Sequence, residues 1–388
     1  MDLRYEYTSP VRVLEACHNP DACDLIALGG DNSVDVVQIG PNACSLLASF
    51  HLGTRVTAIA WSSRSLSPAT SEPVLLELAA ATADFGLHLL TKSGSSDPVT
   101  FAFGGGLSGH HAPVTAMAFC GGPSSPSVSS VAPSTSAPTD RYVATVSDDK
   151  MLMVWDLYPA LDIPSVLASA SPTTSATPMS FSTDYTRPQP TAYATPFPHP
   201  LTAVTAHPSS AKDLLVADAR GAIYLVDWRS EVADADIGAR RHVIELVEPR
   251  ALADGAAPGG SIAWARDNAD LIGAAYGSRF VLWDISKLQG GKPALTGPSF
   301  PDGARRFRFS SSPSPHFALI PSRSVGAALH IHATAFPHAP PAVLALGGRP
   351  LRVGDFDFLT EPGGIGARGP RVAAGVGRSV IVFWVGEE

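Results

Sequence analysis

The fifteen residues Tyr142-Val-Ala-Thr-Val-Ser-Asp-Asp-Lys-Met-Leu-Met-Val-Trp-Asp156 constrain the fold of this chain more than any other stretch. They set a β-branched run, an Asp-bearing turn and a second apolar run ending in Trp-Asp in immediate succession. A strand, a tight turn and a strand of this composition are the sequence mark of one blade of a β-propeller. A single blade cannot bury its own faces, so a propeller must repeat the unit, and weaker copies bring the total here to seven.

Each copy is anchored on the position that Trp155 holds, at the end of a short strand-forming run that follows a Gly, Ser, Asp or Asn turn. The anchors are Val37, Leu90, Trp155, Val226, Trp283, His332 and Trp384, spaced by 53, 65, 71, 57, 49 and 52 residues. A compact four-stranded blade takes about 40 to 45 residues, so these blades carry insertions. The two longest spacings contain two low-complexity tracts rich in Ser, Pro, Thr and Ala, Gly121 to Thr139 and Pro159 to Pro198. Such tracts lack the apolar content to join a core and are expected to be disordered.

Upstream of every anchor run lies a second strand, and upstream of that an inner strand rich in Val, Ala and Phe. The inner strands are read at Val11 to Cys17, Arg55 to Trp61, Val114 to Cys120, Leu201 to His207, Ser261 to Trp264, Arg306 to Ser310 and Leu351 to Phe358. Outer strands are expected at Cys44 to Phe50, Val99 to Phe103, His242 to Val247 and Ala342 to Leu346. The seventh unit has no residues left for one. The strand-like segment Leu3-Arg-Tyr-Glu-Tyr-Thr8, with Leu3, Tyr5 and Tyr7 on alternate positions, is therefore expected to close the ring against the last blade. The expectation is an all-β, seven-bladed propeller that takes up residues 1–388 as a single domain.

With 34 Gly and 35 Pro, the chain is punctuated too often for a helical fold. Its net charge of -8, without a basic run longer than the pairs Arg240-Arg241 and Arg305-Arg306, argues against direct nucleic-acid binding. No segment approaches the roughly 20 apolar residues of a membrane span, and the N-terminus reads as neither a leader nor a signal core. Cys17, Cys23, Cys44 and Cys120 form no Cys-x-x-Cys pair and read as free thiols. A zinc site on Cys17, His18 and Cys23 would lack a fourth ligand. No P-loop and no Gly-x-Ser-x-Gly motif occurs, and Gly104-Gly-Gly106 reads as a turn. No cofactor and no metal are expected. His330 and His332 alternate on one strand and read as packing residues.

In the third unit His110 precedes the inner strand and Asp149 lies six residues before Trp155. A His, an Asp and the Trp of a WD-type unit commonly form a buried hydrogen-bonded set, because a buried imidazole and carboxylate both need partners. His110, Asp149 and Trp155 are assigned to such a set, with His111 as a substitute for His110. A separate box, Val226-Asp-Trp-Arg229, resembles the Asp-x-Arg motif that WD-repeat receptors present to the adaptor of cullin-4 ubiquitin ligases, which would use Asp227 and Arg229. The plainer reading makes Asp227 a blade-end residue and Arg229 a solvated one.

Several longer words resemble, in order and approximate spacing, the small WD-repeat nucleoporins of the Y-shaped outer-ring complex of nuclear pores. They are Phe50-His-Leu-Gly-Thr-Arg-Val-Thr-Ala-Ile-Ala-Trp-Ser62, Val146-Ser-Asp-Asp149 with Val154-Trp155, Phe280-Val-Leu-Trp-Asp-Ile285, Arg306-Phe-Arg-Phe-Ser310 and Val382-Phe-Trp-Val385. The Ser/Pro-rich tracts depart from the animal pattern. The resemblance implies a non-enzymatic scaffold at the nuclear envelope, monomeric outside its complex. Its partners would be a large propeller-and-solenoid nucleoporin at the end of a short arm and other outer-ring nucleoporins. A propeller enzyme would instead need acidic or His residues converging on the central channel from several inner strands. On sequence, the acids Asp355 and Asp357 are confined to one blade.

Overall fold

A computed structural model of the chain describes residues 2–120, 141–158, 189–229, 242–248, 260–288, 290–310, 316–323, 326–360 and 369–386. These form seven four-stranded antiparallel sheets. The only helical elements among them are three 3-10 turns, Pro20–Ala22, Gly106–Ser108 and Ile285–Lys287. Blades 1 to 6 are simple meanders, running from inner to outer strand in chain order. Their inner strands are Val13–Ala16, Val56–Trp61, Val114–Cys120, Leu201–Ala206, Ser261–Trp264 and Ala304–Phe309. Blade 7 runs Val353–Leu359, Arg371–Val376 and Ser379–Trp384, and its outer strand is the N-terminal segment Leu3–Glu6.

Ring closure is therefore as expected, with Leu3 opposite Val382, Tyr5 opposite Val380 and Glu6 opposite Ser379. The backbone N–H of Tyr7 extends the pairing to Arg378 O at 2.7 Å. Leu3 and Tyr7 are buried in a cluster with Leu14, Val380 and Val382, and half-buried Tyr5 packs against it. The Tyr7 hydroxyl donates to Ser33 O at 3.0 Å or Leu28 O at 3.3 Å, so the closing strand also grips blade 1. The ends of the propeller sequence are thus joined by seventh-blade pairing, which leaves only short strand edges.

The core is a set of seven apolar layers rather than one centre. Each buried cluster spans one seam between consecutive blades, for example Val13, Val36 and Phe50 of blade 1 with Val56, Leu78 and Leu90 of blade 2. The other six lie between blades 7 and 1, 2 and 3, 3 and 4, 6 and 7, 4 and 5, and 5 and 6. A blade is covered on both faces, which is why middle strands such as Leu25–Gly29 and Leu214–Ala217 are apolar throughout instead of alternating.

Six anchors hold equivalent register positions, but Trp384 does not. In blade 3 Trp155 pairs with Val143, the second residue of its strand; in blade 7 the second residue, Val372, pairs with Phe383, and Trp384 faces Arg371. A one-residue offset changes the face of the sheet. Phe383 is accordingly buried in the seam with blade 6, whereas Trp384 is half-exposed under the Arg371 guanidinium. Two outer strands were not expected: Thr191–Pro196 in blade 3 and Leu295–Pro298 in blade 5. The first is the end of the tract read as Pro159 to Pro198. Residues 121–139 and 159–188 of the two tracts lie outside the described residues.

Candidate functional site

In blade 3 the turn Asp148-Asp149-Lys150 is built by its own side chains. Lys150 takes φ of 70°, and Asp149 Oδ1 accepts from Met151 N at 2.9 Å, an Asx-type turn. This points the other carboxylate oxygen at the loop before the inner strand, where it accepts from His111 N at 3.0 Å and meets His110 Nδ1 at 2.9 Å. The sequence set is thus assembled, with His110 and not His111 supplying the imidazole.

Its centre is a residue that the sequence reading missed. Thr145 Oγ1 lies 2.8 Å from His110 Nε2 and 2.9 Å from Trp155 Nε1, and is fully buried. The indole N–H can only donate, so it donates to Oγ1. The Thr145 hydroxyl in turn donates to Nε2, and the proton on Nδ1 goes to Asp149. Burial lowers the His110 pKa, outweighing the pull of Asp149, and so favours the neutral imidazole this chain requires. Trp155 is also covered from outside: at Gly104, with φ of 61°, an added Cβ would meet the indole at 2.8 Å. Every polar atom of the set is consumed in holding blade 3 together.

The register positions matching Thr145 are Leu28, Ala80, Val216, Ala274, Leu319 and Ala374, so no other blade can build this network. Blade 6 has His332 at the Trp155 position with Leu319 where the hydroxyl would be. Both ring nitrogens of His332 are buried without a hydrogen-bond partner, and the ring stacks on Phe317 at 4.8 Å. Burial pushes its pKa down to about 4. His330 packs on Phe300 at 4.0 Å.

The Asp227–Arg229 box sits where the third strand of blade 4 leaves the sheet. Asp227 pairs with Lys212 at 2.8 Å and accepts from Arg229 N at 3.1 Å. Arg229 is exposed, with its guanidinium 4.8 Å from the Trp228 ring and 5.3 Å from the Tyr142 ring. The box is an ordinary blade-end turn that presents one cation on an aromatic base.

Charged groups also meet along the propeller axis, and from more blades than the sequence suggested. Asp355 and Asp357 of blade 7 are buried, with one oxygen of each accepting a backbone N–H of blade 1: Leu14 N at 3.2 Å and Ala16 N at 3.1 Å. Around them stand Arg306, 3.3 Å from Asp355, and His18, 3.1 Å from Asp357. Arg308 pairs with Glu15. Arg266, beyond the inner strand of blade 5, is close enough to act on Asp357, Arg308 and Glu15. Burial works against the Asp357 carboxylate, yet Arg308, His18 and Arg266 together hold it well below the usual range. Burial pushes the Glu15 carboxyl up against the pull of Arg308. The basic pair Arg305-Arg306 is half-buried here, and Arg305 donates to Gly354 O.

These contacts belong to a wider pattern in which channel-side groups stitch one inner strand to the next. Trp61 Nε1 donates to Glu15 O at 2.9 Å, Thr115 Oγ1 to Leu201 O at 2.8 Å and Thr202 Oγ1 to Gly260 O at 3.1 Å, and Ser261 Oγ accepts from Phe307 N at 3.0 Å. Thr115, Thr202 and Arg305 are the extra residues of β-bulges at the start of their strands, which turn them toward the axis. Thr57 is the matching bulge residue of blade 2, and its hydroxyl has no partner.

Among the described residues no three His, Cys, Asp or Glu side chains come together as metal ligands, and the four cysteines are unpaired with one another. No described helix is long and apolar enough to cross a membrane.

No family model matches the chain, and no curated protein matches it. Solved structures match by fold, 1020 chains in all, so the likeness is too widespread to carry an activity. One of them is Raptor of Chaetomium thermophilum, with a TM-score of 0.62 and 12% identity over 100% of this chain. The chain spans 29% of that protein's length. At such identity the likeness shows the fold alone, a seven-bladed β-propeller.

Proposed function

We propose that this chain is a non-enzymatic scaffold subunit of the nuclear pore outer ring. It docks on a large propeller-and-solenoid nucleoporin at the end of a short Y-complex arm, resides at the nuclear envelope, and supports pore assembly and nucleocytoplasmic transport. The observation that carries the reading is the order of the motif words resembling that family, which fall in succession on blades 2, 3, 5, 6 and 7 of a ring that closes on itself. A propeller complete in one chain needs no strand from its partner and offers a rigid loop surface for docking. The use of His110, Asp149, Asp355 and Asp357 in structural bonds supports the absence of catalysis.

A second reading rests on Arg229, which is exposed on an aromatic base as an interface anchor is. It makes the chain a substrate receptor of a cullin-4 ubiquitin ligase. Imaging the chain, tagged beyond Gly386, in its own cells separates the two. A punctate nuclear rim is expected for the scaffold. A diffuse signal, with adaptor binding abolished by Arg229→Ala, supports the receptor and overturns the scaffold.

A further inference from the structure

At the end of the axis where the inner strands begin lies a cavity of about 500 Å³. Six blades wall it, and it falls within the roughly 300 to 1,000 Å³ of small-molecule sites. Four arginines line it, Arg12, Arg55, Arg305 and Arg306, and no Asp or Glu does. This is unexpected in a chain whose net charge is -8. Two of the four have carboxylate partners, Arg12 with Asp31 at 3.0 Å and Arg306 with Asp355 at 3.3 Å. Arg305 is satisfied by a backbone carbonyl that carries no countercharge. Arg55 is exposed and has no ion pair or side-chain hydrogen bond among the described residues. Four guanidiniums against two carboxylates leave a surplus of two positive charges facing one space.

We propose that this arginine-lined mouth of the axial cavity binds a small soluble molecule bearing two or more phosphate groups. The chemistry follows from the arrangement. Guanidinium forks take phosphate oxygens bidentately, and they enter here from blades 1, 2 and 6, so anionic oxygens must point in several directions at once. A single carboxylate would meet only one of them. A cleft lined by one sign of charge focuses field lines and concentrates such an anion. The electrostatics agree, since Arg305 is disfavoured as a cation by burial and, against the pull of Asp355, by its neighbours Arg306, Arg352 and Arg12. A bound polyanion relieves that repulsion.

The test is calorimetric titration of the full chain with tripolyphosphate, with sodium chloride holding ionic strength constant. Saturable binding of one equivalent is expected. Arg55→Gln should weaken it roughly tenfold, the effect of one lost charge-assisted contact, while the melting temperature of the unliganded protein stays unchanged. Arg12→Gln should weaken it further. The proposal is overturned by absence of saturable binding, or by an Arg55→Gln variant that binds like the parent. Binding confined to a phosphorylated peptide or to phosphoinositide vesicles, with none to tripolyphosphate, also overturns it.

Discussion

Replacing Thr145 by Val removes one hydroxyl and almost no volume, so it isolates the polar network of blade 3 from its packing. The hydroxyl accepts from Trp155 Nε1 at 2.9 Å and donates to His110 Nε2 at 2.8 Å, and Thr145, His110 and Trp155 are all buried. Valine leaves an indole N–H and an imidazole nitrogen without partners, each costing about 1 to 3 kcal/mol. The expected loss is about 3 kcal/mol. At the usual unfolding entropy per residue, a chain of 388 residues loses about 4 °C of melting temperature for that amount. Thr145→Ser keeps both bonds and leaves a methyl-sized gap, costing about 1 kcal/mol. The ranking is the test, by urea denaturation and by thermal scans at one heating rate. Adding His110→Leu to Thr145→Val should cost less than the two separate losses together, because one orphan is removed with it. A valine variant at least as stable as the serine variant refutes the network as a source of stability.

His332 predicts the opposite sign. Its folded pKa of about 4 lies below the unfolded value of about 6.5, so the unfolded chain takes up the proton first as pH falls. Stability present above about pH 6.5 should be lost progressively down to about pH 4, by about 3 kcal/mol. His332→Phe replaces two orphan nitrogens with an apolar ring, and should flatten that acid limb without loss at neutral pH; an acid limb as steep as the parent's contradicts this. For the closing strand, Tyr7→Phe removes the bond to Ser33 O or Leu28 O and should cost about 1 kcal/mol. Deleting residues 1–8 also exposes the seventh blade's edge and the Leu3 and Tyr7 side chains, and should cost on the order of 5 kcal/mol. An unchanged melting temperature on deletion would refute strand closure.

The blade count was legible because each unit repeats two apolar strands around a small or acidic turn, a local pattern that needs no tertiary knowledge. Register was not legible where both faces are buried. Val380-Ile-Val-Phe-Trp384 is apolar throughout, so nothing in its alternation marks Phe383 rather than Trp384 as the seam residue. Thr145 hid among Val143, Ala144 and Val146, where a β-branched residue reads as strand packing. The outer strand Thr191–Pro196 was hidden by the Ser/Pro-rich composition of the tract it ends. The axial charges escaped for a topological reason. Glu15, Arg308 and Asp357 lie on three separate strands and become neighbours only because the ring brings blades 1, 6 and 7 around one axis.

The scaffold claim stands or falls on what accompanies the protein in the cell. Affinity purification of the tagged chain at moderate salt, with partners quantified by mass spectrometry, tests it most directly. The account predicts outer-ring nucleoporins at near-equal amounts, headed by the large propeller-and-solenoid subunit. Recovery of the cullin-4 adaptor without nucleoporins, or of the chain alone, would contradict it.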